Sequence, residues 1–175
     1  MKKIVIIFVG ILIIILICLY NFRGGEKMNV IHLSKTSSIY NRSSMTPIDT
    51  MLHIGLDVLD IRDIIIVIRD LDGSKKIDND ITLRAYIKNS GNQYILYIAN
   101  MGDREAIKVI SHELVHIKQY YDGSLEDVGD KVIWRGDTII KSELGGINYF
   151  ERGWEVEAFS KQDSIDRLIT KQLYR

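Results

Sequence analysis

Cysteine is almost missing from this 175-residue chain: Cys18 is the only one, and it sits in an apolar run near the N-terminus. The remainder of the chain therefore forms neither a disulfide nor a cysteine-based zinc site, and cysteine usage says nothing about redox compartment. Net charge is missing too, with 23 basic residues balanced by 23 acidic ones. No global field draws the chain to nucleic acid, which is not expected as a partner, although zero net charge leaves room for a local patch. Histidine is scarce: four residues, none after His116. Internal repeats and low-complexity tracts are absent beyond the apolar run. The length suits one domain plus an appendage.

Lys2 and Lys3 precede an apolar run over residues 4–20, about the length a helix needs to cross a bilayer. Asn21, Phe22, Arg23, Gly24 and Gly25 end it. No small-x-small cleavage site follows, so a retained signal-anchor is favoured over a cleaved signal peptide. A lipoprotein at Cys18 is disfavoured by the bulky Ile17 before it. The positive-inside rule then puts the domain outside the cell on a single-pass anchor in the cell membrane, an asymmetry weakened by Arg23 and Lys27. The expected organisation is a transmembrane anchor over 1–22, a polar tether over 23–45 with one short strand at 30–33, and a folded domain over 46–175.

Within that domain a helix is expected from Thr46-Pro47-Ile48-Asp49, where Thr46 caps, Pro47 needs no donor and Asp49 favours the positive helix end. The β-branched run 64–68 reads as a buried strand. A turn follows at 71–74. Residues 81–87 and 94–99 read as a hairpin around Asn89-Ser90-Gly91-Asn92. A helix follows over 103–121, with Ile107, Ile110, Leu114, Ile117 and Tyr121 as one apolar stripe. A small hairpin around Arg135-Gly136-Asp137 and a last helix over 153–174 complete an α+β domain: a short antiparallel or mixed sheet packed on two helices, behind an N-terminal transmembrane helix.

The chemistry lies in His112-Glu113-Leu114-Val115-His116. Residues four apart on a helix share a face, so both imidazoles reach one tetrahedral zinc at roughly 2.0–2.1 Å. Glu113 is offset by about 100° and approaches a metal-bound water instead. There it acts as general base. His32 and His53 read as surface or packed residues. A catalytic zinc takes a third protein ligand, and Trp154-Glu155-Val156-Glu157-Ala158 offers two carboxylates that the helical wheel does not separate.

These residues resemble the gluzincins, zinc peptidases whose third ligand is a glutamate from a later helix. His112-Glu113-Leu114-Val115-His116-Ile117-Lys118-Gln119 is similar to the HELVH-x-x-Q helix of the small single-domain members. Trp134-Arg135-Gly136 and Tyr149-Phe150-Glu151-Arg152-Gly153-Trp154-Glu155-Val156-Glu157-Ala158 look like a W-x-G … Y-x-x-R-P-W-E-x-E-A pattern of uncharacterised metallopeptidase-like proteins, with Gly153 in place of proline. The resemblance covers residues 94–160 and implies a zincin-like fold and peptide or protein substrates. It implies zinc ligands His112, His116 and Glu157, the last because glutamate-alanine is the order seen in thermolysin-like enzymes. It also implies that strand 94–99 is the edge along which substrate lies. Thermolysin-like enzymes carry an aspartate four residues after the ligand glutamate. Lys161 stands there, which leaves the partners of the zinc histidines open. Tyr149 is the candidate oxyanion donor. Two other functions compete: a non-catalytic zinc-containing peptide-binding module, and a membrane-tethered interaction protein.

Overall fold

The computed structural model describes residues 29–32, 37–45, 47–71, 76–78 and 81–175; side chains of 29–32, 76–78 and 81–82 are not described. The expected anchor over 1–22, the Thr46 cap and most of the 71–74 turn lie outside these residues. Among the described residues no helix is long and apolar enough to cross a membrane.

The architecture is α+β. A five-stranded mixed sheet is built from β1 (Asn29–His32), β2 (Ser38–Asn41), β3 (Ile65–Asp70), β7 (Gln93–Ile98) and β6 (Ala85–Ser90), in that order. Strands β2, β3 and β7 run parallel, while β1 and β6 are antiparallel to their neighbours at the two edges. Two short strands, β4 (Lys76–Asp78) and β5 (Ile81–Thr82), pair apart from it. The parallel β2–β3 pair needs a crossover, supplied by helix α1 (Ile48–Val58).

Alternation explains the core. Ile39 of β2, Ile66 and Ile68 of β3, and Tyr94, Leu96 and Ile98 of β7 are all buried on one sheet face. Helix α2 (Asp103–Tyr121) turns Ile107, Ile110, Leu114 and Ile117 into the same core, each fully buried. Tyr121, expected in that stripe, is 42 % exposed at the helix end. Helix α3 (Gly153–Leu173) crosses α1 and α2, with Ala158, Ile165 and Ile169 buried at the contact. Gly55 on α1 leaves room for Leu114: a Cβ there would stand 2.1 Å from Leu114 Cδ1.

Two expectations need correction. The stretch 23–45 is not simply a tether, because it contributes β1 and the buried strand β2 to the sheet. Strand 94–99 is not an edge, because β7 lies between β3 and β6; the edge beside α2 is β6. The β9–β10 hairpin (Lys131–Trp134, Asp137–Ile140) turns where expected, with Arg135 and Gly136 at positive φ. It gains a third strand, β8 (Leu125–Val128), not foreseen.

Candidate metal centre and active-site cleft

Helix α2 presents His112 and His116 one turn apart on the side facing α3, and both are buried, at 9 % and 8 % exposure. Helix α3 brings Glu155 against them. Glu155 Oε2 lies 3.2 Å from His112 Nε2 and 3.4 Å from His116 Nε2, and the two Nε2 atoms are 3.2 Å apart. The three side chains form the one candidate metal-holding group among the described residues. A tetrahedron with arms of ~2.0–2.1 Å has edges of about 3.3–3.4 Å, so the triangle of donor atoms matches the base of such a site.

The carboxylate that joins the two histidines is Glu155, not the expected Glu157. Buried positions Glu155, Ala158, Ile165 and Ile169 follow helical spacing along one stripe of α3, and Glu157 falls off that stripe. Ala158 is the small residue that lets the helices approach, but the glutamate that exploits it is one turn earlier. Glu157 instead meets Lys161 Nζ at 2.6 Å, Arg135 Nη2 at 3.0 Å and Gln119 Nε2 at 3.0 Å. Burial opposes its charge, and these cations and hydrogen bonds outweigh that, holding its carboxyl below the usual range.

The outer ring nitrogens are also accounted for. His116 Nδ1 donates to Gln119 Oε1 at 2.8 Å, and His112 Nδ1 lies 3.3 Å from Gln162 Oε1. The orientation of the Gln119 amide follows from chemistry, since its Nε2 donates to two acceptors, Trp154 O at 2.9 Å and Glu157 Oε2. Each Nδ1 so held keeps Nε2 on the Glu155 side, where it would be the atom offered to a metal. The i+3 spacing of Gln119 after His116 was the available signal; Gln162 had none, being 50 residues from His112.

Glu113 is 5 % exposed, and its Oε2 is buried with no hydrogen-bond partner. Burial first, and then the Glu155 charge, raise its pKa against the lowering influence of His116 and His112; the net direction is up. Burial alone would raise Glu155 as well. Hydrogen bonds from His112 and His116, the charge of His116 and a hydrogen bond from Tyr149 overcome it and bring Glu155 to about 2. Burial lowers His116, but the Glu155 hydrogen bond and the carboxylates of Glu113 and Glu155 dominate and raise it to about 9. Tyr149 is raised by burial and by its contact with Glu155, so its hydroxyl stays protonated.

Glu113 lines both of two adjoining lobes of a cleft. The first, about 490 Å³, is walled by Val109, His112, Phe150 and Phe159; the second, about 530 Å³, by His116, Tyr120, Arg152, Trp154 and Glu155. Leu83, Ala85, Glu113 and Tyr149 line both. Tyr149, the expected oxyanion donor, lines the cleft and hydrogen-bonds to Glu155. Tyr120, raised to about 12 by burial and then by Asp127 and Glu113, is a second protonated hydroxyl in the cleft that sequence reasoning missed. Gly153 also finds its reason: a Cβ there would lie 2.4 Å from Trp134 Nε1. His53 is half-buried on α1, its Nε2 3.9 Å from Asp57.

No family model matches the chain, and no curated protein or solved structure gives a significant match.

Proposed function

We propose that the chain is a zinc-dependent peptidase with His112, His116 and Glu155 as metal ligands and Glu113 as general base. The observation that carries the reading is Glu113 Oε2, a buried carboxylate oxygen without a partner beside a triangle of donor atoms. A site that only held metal has no use for such a group, and leaving it unpaired is costly. Two imidazoles and one carboxylate are borderline donors suited to zinc, and they leave the fourth position for water. Bound there, zinc would polarise a substrate carbonyl and bring the pKa of a water toward ~7.

The protein's own groups do the rest. Glu113, its proton affinity raised by burial, accepts a proton from water at Oε2 and delivers it to the leaving amine. Tyr149, kept protonated, donates to the oxygen that gains charge at the scissile carbonyl. Gln119 and Gln162 hold the Nδ1 protons of His116 and His112. The edge of β6 offers backbone donors and acceptors to an extended peptide lying along the cleft, a role that passes to it from β7. The residues 4–20 then act as the single-pass anchor that holds this activity at the membrane.

The test is metal content and peptide hydrolysis in parallel. Zinc-loaded protein should carry about one zinc per chain and cleave members of a mixed peptide library, while Glu113→Gln should keep the zinc and lose cleavage. Zinc retained with no cleavage by either form would leave a peptide-binding module instead.

A further inference from the structure

The five-stranded sheet has a second face, opposite its helices. Successive strand residues point to opposite faces, and register decides which outward residues are neighbours. Tyr40, Val67, Ile95 and Lys88 form one row across four strands. Arg69, Tyr97 and Tyr86 form the next. Arg42 extends that row, because its backbone N–H continues the ladder to Ile68 O. Tyr40, Val67, Ile95 and Tyr97 take no part in the apolar core. The Tyr86 and Tyr97 rings stack with centroids 4.7 Å apart, and Lys88 Nζ sits 5.4 Å from the Tyr97 centroid. Among the described residues Arg42, Arg69 and Lys88 have no ion pair, and the outward positions of these strands include no acidic residue. In a chain with no net charge, this is a local excess of three cations set among tyrosines.

We infer that this face docks on the surface of an anionic bilayer. Tyrosine rings settle at the headgroup level, and lysine and arginine near an anionic leaflet gain from its surface potential. The chain itself points to the same occupant. Strand β1 forms the opposite edge of the sheet and begins at Asn29. Only residues 21–28 separate it from the apolar run 4–20. Eight residues span at most about 29 Å, so a membrane-crossing run keeps the sheet at the bilayer. The inference rests on that reading of the run, and it is independent of the metal chemistry. Docking through this face brings the β6 edge, whose Ala85, Tyr86 and Ile87 line the cleft, to headgroup level. Peptide segments close to the bilayer are then the substrates within reach.

The test uses the full chain with Cys18→Ser and a nitroxide on Ser90→Cys, an exposed outward position of β6. A matched label on Lys171→Cys of α3, on the helical side, serves as control. The protein is reconstituted into vesicles of phosphatidylcholine alone or mixed with phosphatidylglycerol, and accessibility to a water-soluble nickel relaxant is measured. Accessibility at position 90 should fall several-fold in the anionic vesicles only, with no change at 171. Each cation is worth roughly fivefold near such a surface, so Arg42→Glu, Arg69→Glu and Lys88→Glu together should abolish the protection. Equal accessibility at 90 in both lipids overturns the inference. A chain that fails to stay in phosphatidylcholine vesicles shows that the anchor reading failed, and flotation of the same chain with anionic vesicles then decides. Flotation that depends on anionic lipid and is lost in the triple variant upholds the face. No flotation, or binding to a single-stranded oligonucleotide in preference to lipid, overturns it.

Discussion

Glu155 and Glu157 are two residues apart on α3, and the structure gives them different surroundings. Glu155 Oε2 lies within 3.4 Å of both histidine Nε2 atoms. Glu157 reaches His116 only through Gln119, which it holds by a 3.0 Å hydrogen bond. Partners that merely orient a ligand are worth about 10–100-fold in metal affinity. Loss of the ligand itself must cost more, so Glu155→Ala should weaken zinc binding by more than ~10²-fold. Glu157→Ala removes one of two acceptors from Gln119 Nε2, and the other, Trp154 O, remains at 2.9 Å. Its effect should stay within about tenfold, below the Gln119→Ala effect of about 10–100-fold. Competition with a chromophoric chelator on all three purified variants gives the ranking. A Glu157→Ala loss as large as that of Glu155→Ala would refute the assignment and return the third ligand to Glu157.

Other consequences are open to direct measurement. Glu113→Gln should lower turnover by a factor on the order of 10² or more while zinc stoichiometry is unchanged; equal turnover would remove Glu113 from the mechanism. In chelator-stripped protein the two strong shifts bound a stability window. Glu155, lowered to about 2, stabilises fully above its ordinary value near 4.5 and loses that contribution as pH falls toward 2. His116, raised to about 9, stabilises fully below 6.5 and loses its contribution as pH rises through 9. Thermal unfolding of stripped protein should therefore peak between those limits, and a midpoint still rising from pH 7 to 9 would contradict the ion-pair geometry. Gly55→Ala pushes a methyl onto the fully buried Leu114 in the middle of the HExxH helix. Overpacking of that kind costs about 1–3 kcal/mol, which a urea midpoint would register and an unchanged midpoint would deny.

The sequence carried the local structure well and the long-range arrangement poorly. Helices α2 and α3 were legible because their apolar residues recur at helical spacing, and the β6–β7 and β9–β10 hairpins because Gly91, Arg135 and Gly136 mark turns. The HExxH pair was legible because helix geometry alone unites His112 and His116. Strand order was not, because the pairing of β7 with β3 joins segments separated by an intervening hairpin, and nothing local marks Tyr94 as interior. The short polar strand β2 reads as tether because Ser38 and Asn41 mask the buried Ile39. The third ligand failed for a related reason. Trp154, Ala158 and Ile165 lie between the two glutamates on the wheel, and only the crossing of α3 over α2 decides which one turns inward. The partners Gln119 and Gln162 likewise depend on that crossing.

The most direct measurement is mass-spectrometric analysis of a broad peptide library digested by zinc-loaded wild-type protein, with Glu113→Gln alongside. New peptide ends should appear in the wild-type digest, vanish both in Glu113→Gln and after chelation, and return when zinc is restored. A wild-type digest indistinguishable from buffer, in protein carrying its zinc, would contradict the proposed function.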